Sequence, residues 1–306
     1  MYIGIDIGGT KCAVVLGDRQ GKVVKKVRFE TTTKDETLER IMNAVAEMGE
    51  SESIGISCGG PLDEKNGVIL SPPNLPGWDD VHIVDMLQER FGVPARIMND
   101  ANACAIAEWK FGAGVGTDNM VFMTFGTGLG AGLILNGRLY AGSTGFAGEI
   151  GHIRLADFGP AGYGKIGSFE GFCSGGGLRE IGRCLAREYI QRGEAPAFAK
   201  TGSLEDVNVP QMAEAARGGD RCALEAFELC GRMLGKGLAI ICDVLNPDAV
   251  VIGSVYTRCR DLLEKHTRSC LEKEALPAVA SHVKILPAAL GEQIGDLAAL
   301  AVAMER

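Results

Sequence analysis

The sequence predicts a two-lobed α/β protein, each lobe a mixed sheet flanked by helices. Three observations lead there. At 306 residues the chain exceeds one ordinary core of about 100 to 200 residues. Hydrophobic residues make up 46% of it and aromatic ones only 6%, with 43 glycines spread among alternating apolar runs, a composition suited to strands and helices joined by tight turns. Both halves also open on the same plan of strand, glycine turn and strand. Two lobes imply a cleft.

Residues 2–7 alternate apolar and small and read as a strand. After Gly8 and Gly9 a second strand runs from Cys12 to Leu16, and the turn Asp18 to Gly21 returns the chain into a third, Lys22 to Phe29. From Asp35 to Met48, Leu38, Ile41, Met42 and Val45 fall at helical spacing, and IGISCGG then reads as a buried strand ending in glycines. VHIVDMLQERFG is a helix stopped by Gly92, ARIM is a short strand, and Asp100 is expected to cap the helix ANACAIAEWKFG. The Gly-rich run from Phe111 to Asn119 is the expected hinge.

In the second half NMVFMTF is a strand, GTGLGAG a glycine turn, and GLILNGRLY a hairpin whose Asn136-Gly137 pair suits a type I′ turn. Ala213 to Asn246 holds two helical stretches, DAVVIGS is a buried strand entering a glycine turn, VKILP is another strand, and EQIGDLAALAVAMER is a closing apolar helix. The expected lobes are residues 1–115 plus 290–306, and residues 116–289.

A formal net charge of -8, with no block of lysine and arginine, repels phosphate backbones and anionic lipid, so neither nucleic acid nor a membrane is an expected partner. The opening MYIGIDIGGTK carries Asp6 inside its apolar run with no basic leader, so no signal peptide is read. No apolar run of about eighteen residues offers a membrane span. The ten cysteines form no CxxC or CxC pair, which fits small buried hydrophobes in a reducing cytoplasm.

The turn Asp6-Ile7-Gly8-Gly9-Thr10-Lys11 lets backbone N–H groups approach an anion with no Cβ in the way. Taken alone, it reads equally as a plain β-turn with an incidental lysine. The turn Thr124 to Gly130 has the same composition at the same place in the second half, and two such turns could clamp a polyphosphate. Gly126-x-Gly128-x-x-Ala131, with Glu149 downstream, imitates a dinucleotide fingerprint. That motif needs a helix next, however, and a hairpin follows here. No GxxxxGK[ST] sequence supports a P-loop. Met98-Asn99-Asp100-Ala101 lies where a strand ends and a helix begins, the place where open α/β sheets gather ligands, although spacing alone favours Asp100 as a cap. Glu149, His152 and Glu170 are by themselves equally compatible with solvated surface.

Taken in order, these segments resemble the ROK family of bacterial sugar kinases and repressors, in the actin-like ATPase (ribonuclease H-like) superfamily with hexokinase. DIGGTK resembles the family's first phosphate motif and TFGTGLGAGL its second. SPPNLPGW and NDANACAIAEW resemble its sugar-lobe motifs, GEIGH with Glu170 its sugar-contact region, and NPDAVVIGS its adenosine motif. The resemblance implies an ATP-dependent kinase acting on a free hexose or hexosamine, with Asp100 as the base that takes the proton from the sugar hydroxyl. Asn99, Glu149, His152 and Glu170 match sugar-contact positions, with Gly60 and Asn74 as weaker members of that set. Asp6, Gly8, Gly9, Thr10 and Lys11, with Gly126, Thr127 and Gly128, would hold the β- and γ-phosphates bridged by Mg²⁺, and Gly253 would lie near the adenosine. The expected assembly is a homodimer.

Two departures from the family pattern stand out. The adenosine turn is Gly253-Ser254-Val255 rather than a run of glycines. At the family's structural zinc site, a histidine followed by CxCGxxGC, alignment on Glu170 puts Ala161, Tyr163 and Ser168 where the cysteines would be. The expectation is therefore no structural zinc, with Phe158, Tyr163, Ile166 and Phe169 packing that loop as an apolar cluster. A ROK-type transcriptional regulator without kinase activity is the alternative; such repressors carry a helix-turn-helix domain ahead of the first phosphate motif, for which Asp6 leaves no expected room. A catalytically dead sugar-binding module is disfavoured by intact phosphate turns and Asp100.

Overall fold

The structure, a computed structural model, describes residues 1–199 and 203–305. Arg306, the last residue of the expected closing helix, lies outside them. The chain forms two compact units: Met1–Asp118 with Gly132–Ala147 and Ala289–Arg306, and Asn119–Ala131 with Gly148–Ala288. The sequence reading keeps 116–289 in one lobe, but the hairpin arm 132–147 belongs to the first unit. Packing explains the difference: a Cβ on Gly132 would sit 2.8 Å from Ala101 O, and the Gly137 N–H donates to Asp118 O at 2.8 Å. The turn itself is as expected, with positive φ at both Asn136 (53) and Gly137 (70).

The first unit begins with β1 (Tyr2–Ile7), β2 (Lys11–Gly17), β3 (Val23–Glu30), α1 (Lys34–Met48) and β4 (Ile54–Cys58). A small ribbon of β5 (Leu62–Asp63) and β6 (Val68–Ile69) follows, then α2 (Ile83–Phe91), β7 (Ala95–Asn99) and α3 (Asp100–Phe111). The main sheet has the order β3-β2-β1-β4-β7. β1 lies antiparallel to β2 and parallel to β4, and β4 lies parallel to β7. Ile3, Ile5 and Ile7 are buried at the centre of this sheet, and α1 covers it with Leu38, Ile41, Met42 and Val45. α2 ends at Gly92 in the left-handed conformation (φ 68), its N–H bonded to Gln88 O.

The second unit contains β8 (Met120–Phe125) and the start of β9 (Leu129–Ile134). It continues through the ribbon β10 (Ala161–Gly162) and β11 (Lys165–Ile166), then α4 (Phe169–Phe172), α5 (Gly175–Gln191), α6 (Val209–Arg217) and α7 (Arg221–Leu245). β12 (Ala249–Ile252), α8 (Val255–Arg258), α9 (Arg260–Glu274), α10 (Pro277–His282) and β13 (Lys284–Pro287) complete it. Its sheet order is β13-β12-β8-β9, with β12 parallel to both β8 and β13.

The chain then returns to the first unit as α11 (Ile294–Met304). Alanine and glycine let this helix lie directly on the sheet: a Cβ on Gly4 would come within 2.7 Å of Leu300 N, and one on Gly55 would collide with the backbone of Ala299 and Ala303. Among the described residues no helix is long and apolar enough to cross a membrane. All ten cysteines are free.

Candidate active site

In the first unit the strand register brings the motifs to one edge. Ile7 pairs with Cys58 and Cys58 with Asn99, so Gly8–Gly9, Gly59–Gly60 and Asp100 all leave the sheet together at the carboxyl ends of parallel strands, where such sheets collect ligands. The first turn is tight: Gly8 N–H donates to Lys11 O at 3.1 Å, and Thr31 Oγ1 donates to Gly8 O at 2.6 Å. Leu75 and Trp78 are buried and anchor the loop SPPNLPGW, leaving Asn74 exposed. Asn74 backs onto Gly9, where a Cβ would collide with its carbonyl oxygen. A Cβ on Gly59 would lie 3.5 Å from Asn74 Nδ2 and 4.0 Å from Asp100 Oδ2, and one on Gly60 would lie 3.4 Å from Asn99 Nδ2. Small residues thus make room for an amide pair beside a carboxylate.

The cap of α3 is Asn99, and Asp100 is the first helical residue, a correction to the expected cap. Strand β7 runs one residue further than ARIM, which moves the boundary. Asp100 keeps an exposed surface, yet protein crowds its carboxyl. That desolvation raises its pKa, while the N–H groups of Ala101 and of Asp100 itself pull it back. Asp6, half-buried at the end of β1, is pushed up to about 6, first by burial and then by the Asp296 and Asp100 charges, against the opposing pull of Lys26 and Lys11. Asp296 sits in the first turn of α11, 2.5 Å from Lys26 Nζ.

The second unit repeats the arrangement. Met123 pairs with Ile252, so the turn Gly126–Gly128 and Gly253 emerge at the same carboxyl edge, and Gly253 N–H donates to Met123 O at 2.9 Å. Gly126 N–H closes the turn onto Gly128 O at 3.1 Å, and Gly175 N–H, the first residue of α5, donates to Gly126 O at 2.7 Å. The N–H groups of Thr127, Gly128 and Gly176 have no hydrogen-bond partner among the described residues. The Gly175 bond, and a Cβ on Gly176 that would lie 3.5 Å from Thr127 O, set this turn beside the positive end of α5. Ser254 adopts φ 55, and a Cβ on Gly126 would lie 3.8 Å from its Oγ. Glu149, which precedes a short 3-10 turn, and His152, its last residue, are exposed, and Glu170 is half-buried in α4 with Oε2 accepting the Leu129 N–H at 3.0 Å.

The sequence profile of the ROK family matches residues 2–306. The chain belongs to the ROK family. The glucokinase of Thermotoga maritima is 32% identical over 311 residues, covering 99% of this chain and 97% of its own length. A ROK family glucokinase from Streptomyces griseus, solved in complex with glucose and AMPPNP, is 32% identical, with a TM-score of 0.77 and coverage of 99% and 98%. A ROK family transcriptional regulator homologous to the E. coli MLC protein superposes with a TM-score of 0.86 at 25% identity, over 98% of this chain and 76% of the regulator. The fold is the actin-like ATPase fold of the ROK sugar kinases. Because ROK kinases and regulators share it, side chains rather than fold carry the distinction.

The loop that aligns with a ROK zinc site is built differently from the expected apolar cluster. Phe158, Tyr163 and Ile166 are 77%, 87% and 54% exposed, and only Phe169 is buried. Glycines at 159, 162, 164 and 167 leave no surface on which those side chains could meet, and hydrogen bonds hold the loop instead. Leu155 and Ala156 both donate to Gly167 O, at 2.8 and 3.2 Å, and Gly167 N–H donates to Pro160 O at 3.0 Å. Ser168, fully buried, accepts from the N–H groups of Gly162 and Gly171, each at 3.1 Å. The His152 ring stands edge-on to Tyr163 with centroids 6.4 Å apart. Among the described residues no group of three or more His, Cys, Asp or Glu is placed to hold a metal ion.

Three features of this ROK site escape sequence reading. Glu64 Oε1 accepts the Asn99 N–H at 2.7 Å from 35 positions away, and Asp296 reaches Asp6 from the far end of the chain. Neither has a local signal. The start of α5 does have one: Ser174-Gly175-Gly176-Gly177 is a serine cap followed by three glycines, and Ser174 Oγ accepts the Gly177 N–H at 2.9 Å.

Proposed function

We propose that this chain transfers the γ-phosphoryl group of ATP to a hydroxyl of a free hexose or hexosamine, expected to be the 6-hydroxyl of a glucose- or N-acetylmannosamine-like sugar. The observation that carries this reading is the common carboxyl edge of the first sheet, where Asp100 stands beside Asn74 and the first glycine turn. An ATP-dependent sugar kinase is also the class of the glucokinase relatives that align almost end to end.

In this reading Asp100 accepts the proton of the attacking hydroxyl and orients its oxygen, a task in which positioning counts for more than covalent chemistry. Asn74, Asn99, Gly60, Glu149, His152 and Glu170 hold the ring hydroxyls, and an epimer would leave some of these groups unpaired. Gly8, Gly9, Thr10 and Lys11 with Gly126, Thr127 and Gly128 hold the phosphates, and Gly253 lies by the adenosine. Asp6, crowded by two other carboxylates, is a spot whose repulsion a divalent cation relieves, and Mg²⁺ needs only one or two carboxylates beside phosphate oxygens. Bound there, the ion supplies neutralisation of the β- and γ-phosphate charge. The protein would work as a homodimer in the cytoplasm, without structural zinc.

The test is ADP release from ATP across a panel of hexoses and hexosamines. Sugar-dependent turnover with one or two members is expected, and none with any member sinks the proposal. The likeness to a ROK transcriptional regulator supports one second reading, a sugar-responsive regulator. Sugar binding without turnover, together with operator binding, would establish that reading instead.

A further inference from the structure

Glu170 stands where four segments of the second unit meet. Its Oε2 accepts the N–H of Leu129, the residue just past the second glycine turn, at 3.0 Å. A Cβ on Gly128 would lie 2.7 Å from that same oxygen. On Gly151, between Glu149 and His152, it would lie 3.3 Å from Glu170 Cβ; on Gly162 in β10, 2.8 Å from Glu170 Cβ. On Gly177 in the first turn of α5 it would lie 2.9 Å from Glu170 O. The phosphate turn, the Glu149–His152 segment, the β10–β11 ribbon and the start of α5 therefore all touch one residue with no side chain intervening. Among the described residues Oε1 has no hydrogen-bond partner. One carboxylate oxygen is committed to the turn and the other is left for a ligand.

We propose that Glu170 is a positioning residue that couples the two substrates. The inference rests on the kinase reading above. A sugar hydroxyl donating to Oε1 fixes the carboxylate, the carboxylate fixes Leu129 N–H through Oε2, and the glycine turn before it is held in its phosphate-binding shape. A simple sugar contact would lower sugar affinity when removed and leave nucleotide affinity alone. A coupler must act in both directions, because linkage makes sugar tighten nucleotide by the factor with which nucleotide tightens sugar.

The experiment is calorimetric titration of wild-type protein with Mg²⁺ and AMPPNP, alone and at saturating glucose or N-acetylmannosamine, repeated for Glu170→Asp and Glu170→Gln. In the wild type, one of the sugars is expected to tighten AMPPNP by about tenfold, and in Glu170→Asp, whose shorter arm cannot serve both contacts, by less than about twofold. Glu170→Gln keeps the length and an acceptor for Leu129 N–H, fills the glycine-walled space as the native residue does, and should retain part of the coupling. A factor in Glu170→Asp equal to that of the wild type, even with weaker sugar binding, overturns the inference and leaves Glu170 a plain sugar contact. A wild type that binds sugar and nucleotide independently overturns it as well. If the wild type binds neither sugar, the titration is run with the panel member that gives turnover; turnover with no member removes the kinase reading first and the coupling with it.

Discussion

Asn99 and Asp100 accept the same hydrogen: the Ala101 N–H lies 3.0 Å from Asn99 Oδ1 and 2.8 Å from Asp100 Oδ1. The helix cap and the proposed base therefore share one donor, and Asp100 is oriented through Oδ1 with Oδ2 turned toward Gly59. Helix initiation does not depend on Asp100 alone.

Asp100→Asn keeps that acceptor and should fold normally. Its kcat is expected to fall by about 10² to 10⁴ while sugar affinity changes far less, since an amide cannot take up the proton. The base must be ionised and burial raises its pKa, so activity in the parent enzyme should fail on acidification at a higher pH than an ordinary aspartate dictates. A kcat near the parent value in purified Asp100→Asn would remove this residue from the role.

Asp6 offers a stability test with a definite sign. Its pKa is 3.8 unfolded and about 6 folded, so the folded state holds the proton more tightly. The associated stability is present below about pH 4 and lost as pH rises through about 6, amounting to at most about 3 kcal/mol. Asp6→Asn, permanently neutral, should be more stable than the parent near neutrality and no more stable in acid, at the cost of activity. Urea melts at both pH values check this, and parallel pH dependence of the two proteins would contradict it.

Glu108 is fully buried, and its carboxylate accepts N–H bonds from Ala113, Ala289 and Leu290 at 2.8, 3.2 and 2.9 Å. It ties the stretch before the chain leaves the first unit to the stretch where it returns. Glu108→Gln would turn an amide N–H toward at least one of those donors and is expected to cost about 1 to 3 kcal/mol. The readout is a lower denaturant midpoint with unchanged slope; an unshifted midpoint would show that the three bonds are dispensable.

Much of this was readable because it is local. The glycine turns after β1 and β8, the stop at Gly92 and the Asn136-Gly137 hairpin each depend on residues within a few positions of one another. The roles of Glu64 and Asp296, and the bonds of Glu108 to Ala289 and Leu290, are settled by partners 35 to 290 residues away, and nothing near them in sequence marks them. The loop around Tyr163 failed for a different reason. Apolar spacing predicts burial only where a surface exists to receive the side chains, and a glycine-rich loop held by its own backbone provides none. Within the candidate site, residue types were legible, but which carboxylate oxygen faces which donor was not.

Ser168 is the residue on which that loop depends. Ser168→Ala leaves two buried N–H groups without an acceptor and should cost about 1 to 3 kcal/mol. Because α4 carries Glu170 and Gly162 packs against it, the KM for sugar should rise more than kcat falls. Elemental analysis of untagged protein is expected to find no stoichiometric zinc. About one zinc per chain, removable only with unfolding, would show that this account of the loop is wrong.

The contact of α11 with Gly4 and Gly55 sets a timetable for the newborn chain. The strands of the first sheet are translated early, but the helix that lies on them leaves the ribosome only after the entire second unit. Throughout that interval an apolar sheet face stands uncovered in a crowded cell, which makes the nascent protein a natural client for chaperones that shield such surfaces. Truncations before α11 should accumulate as insoluble material rather than as a smaller folded domain.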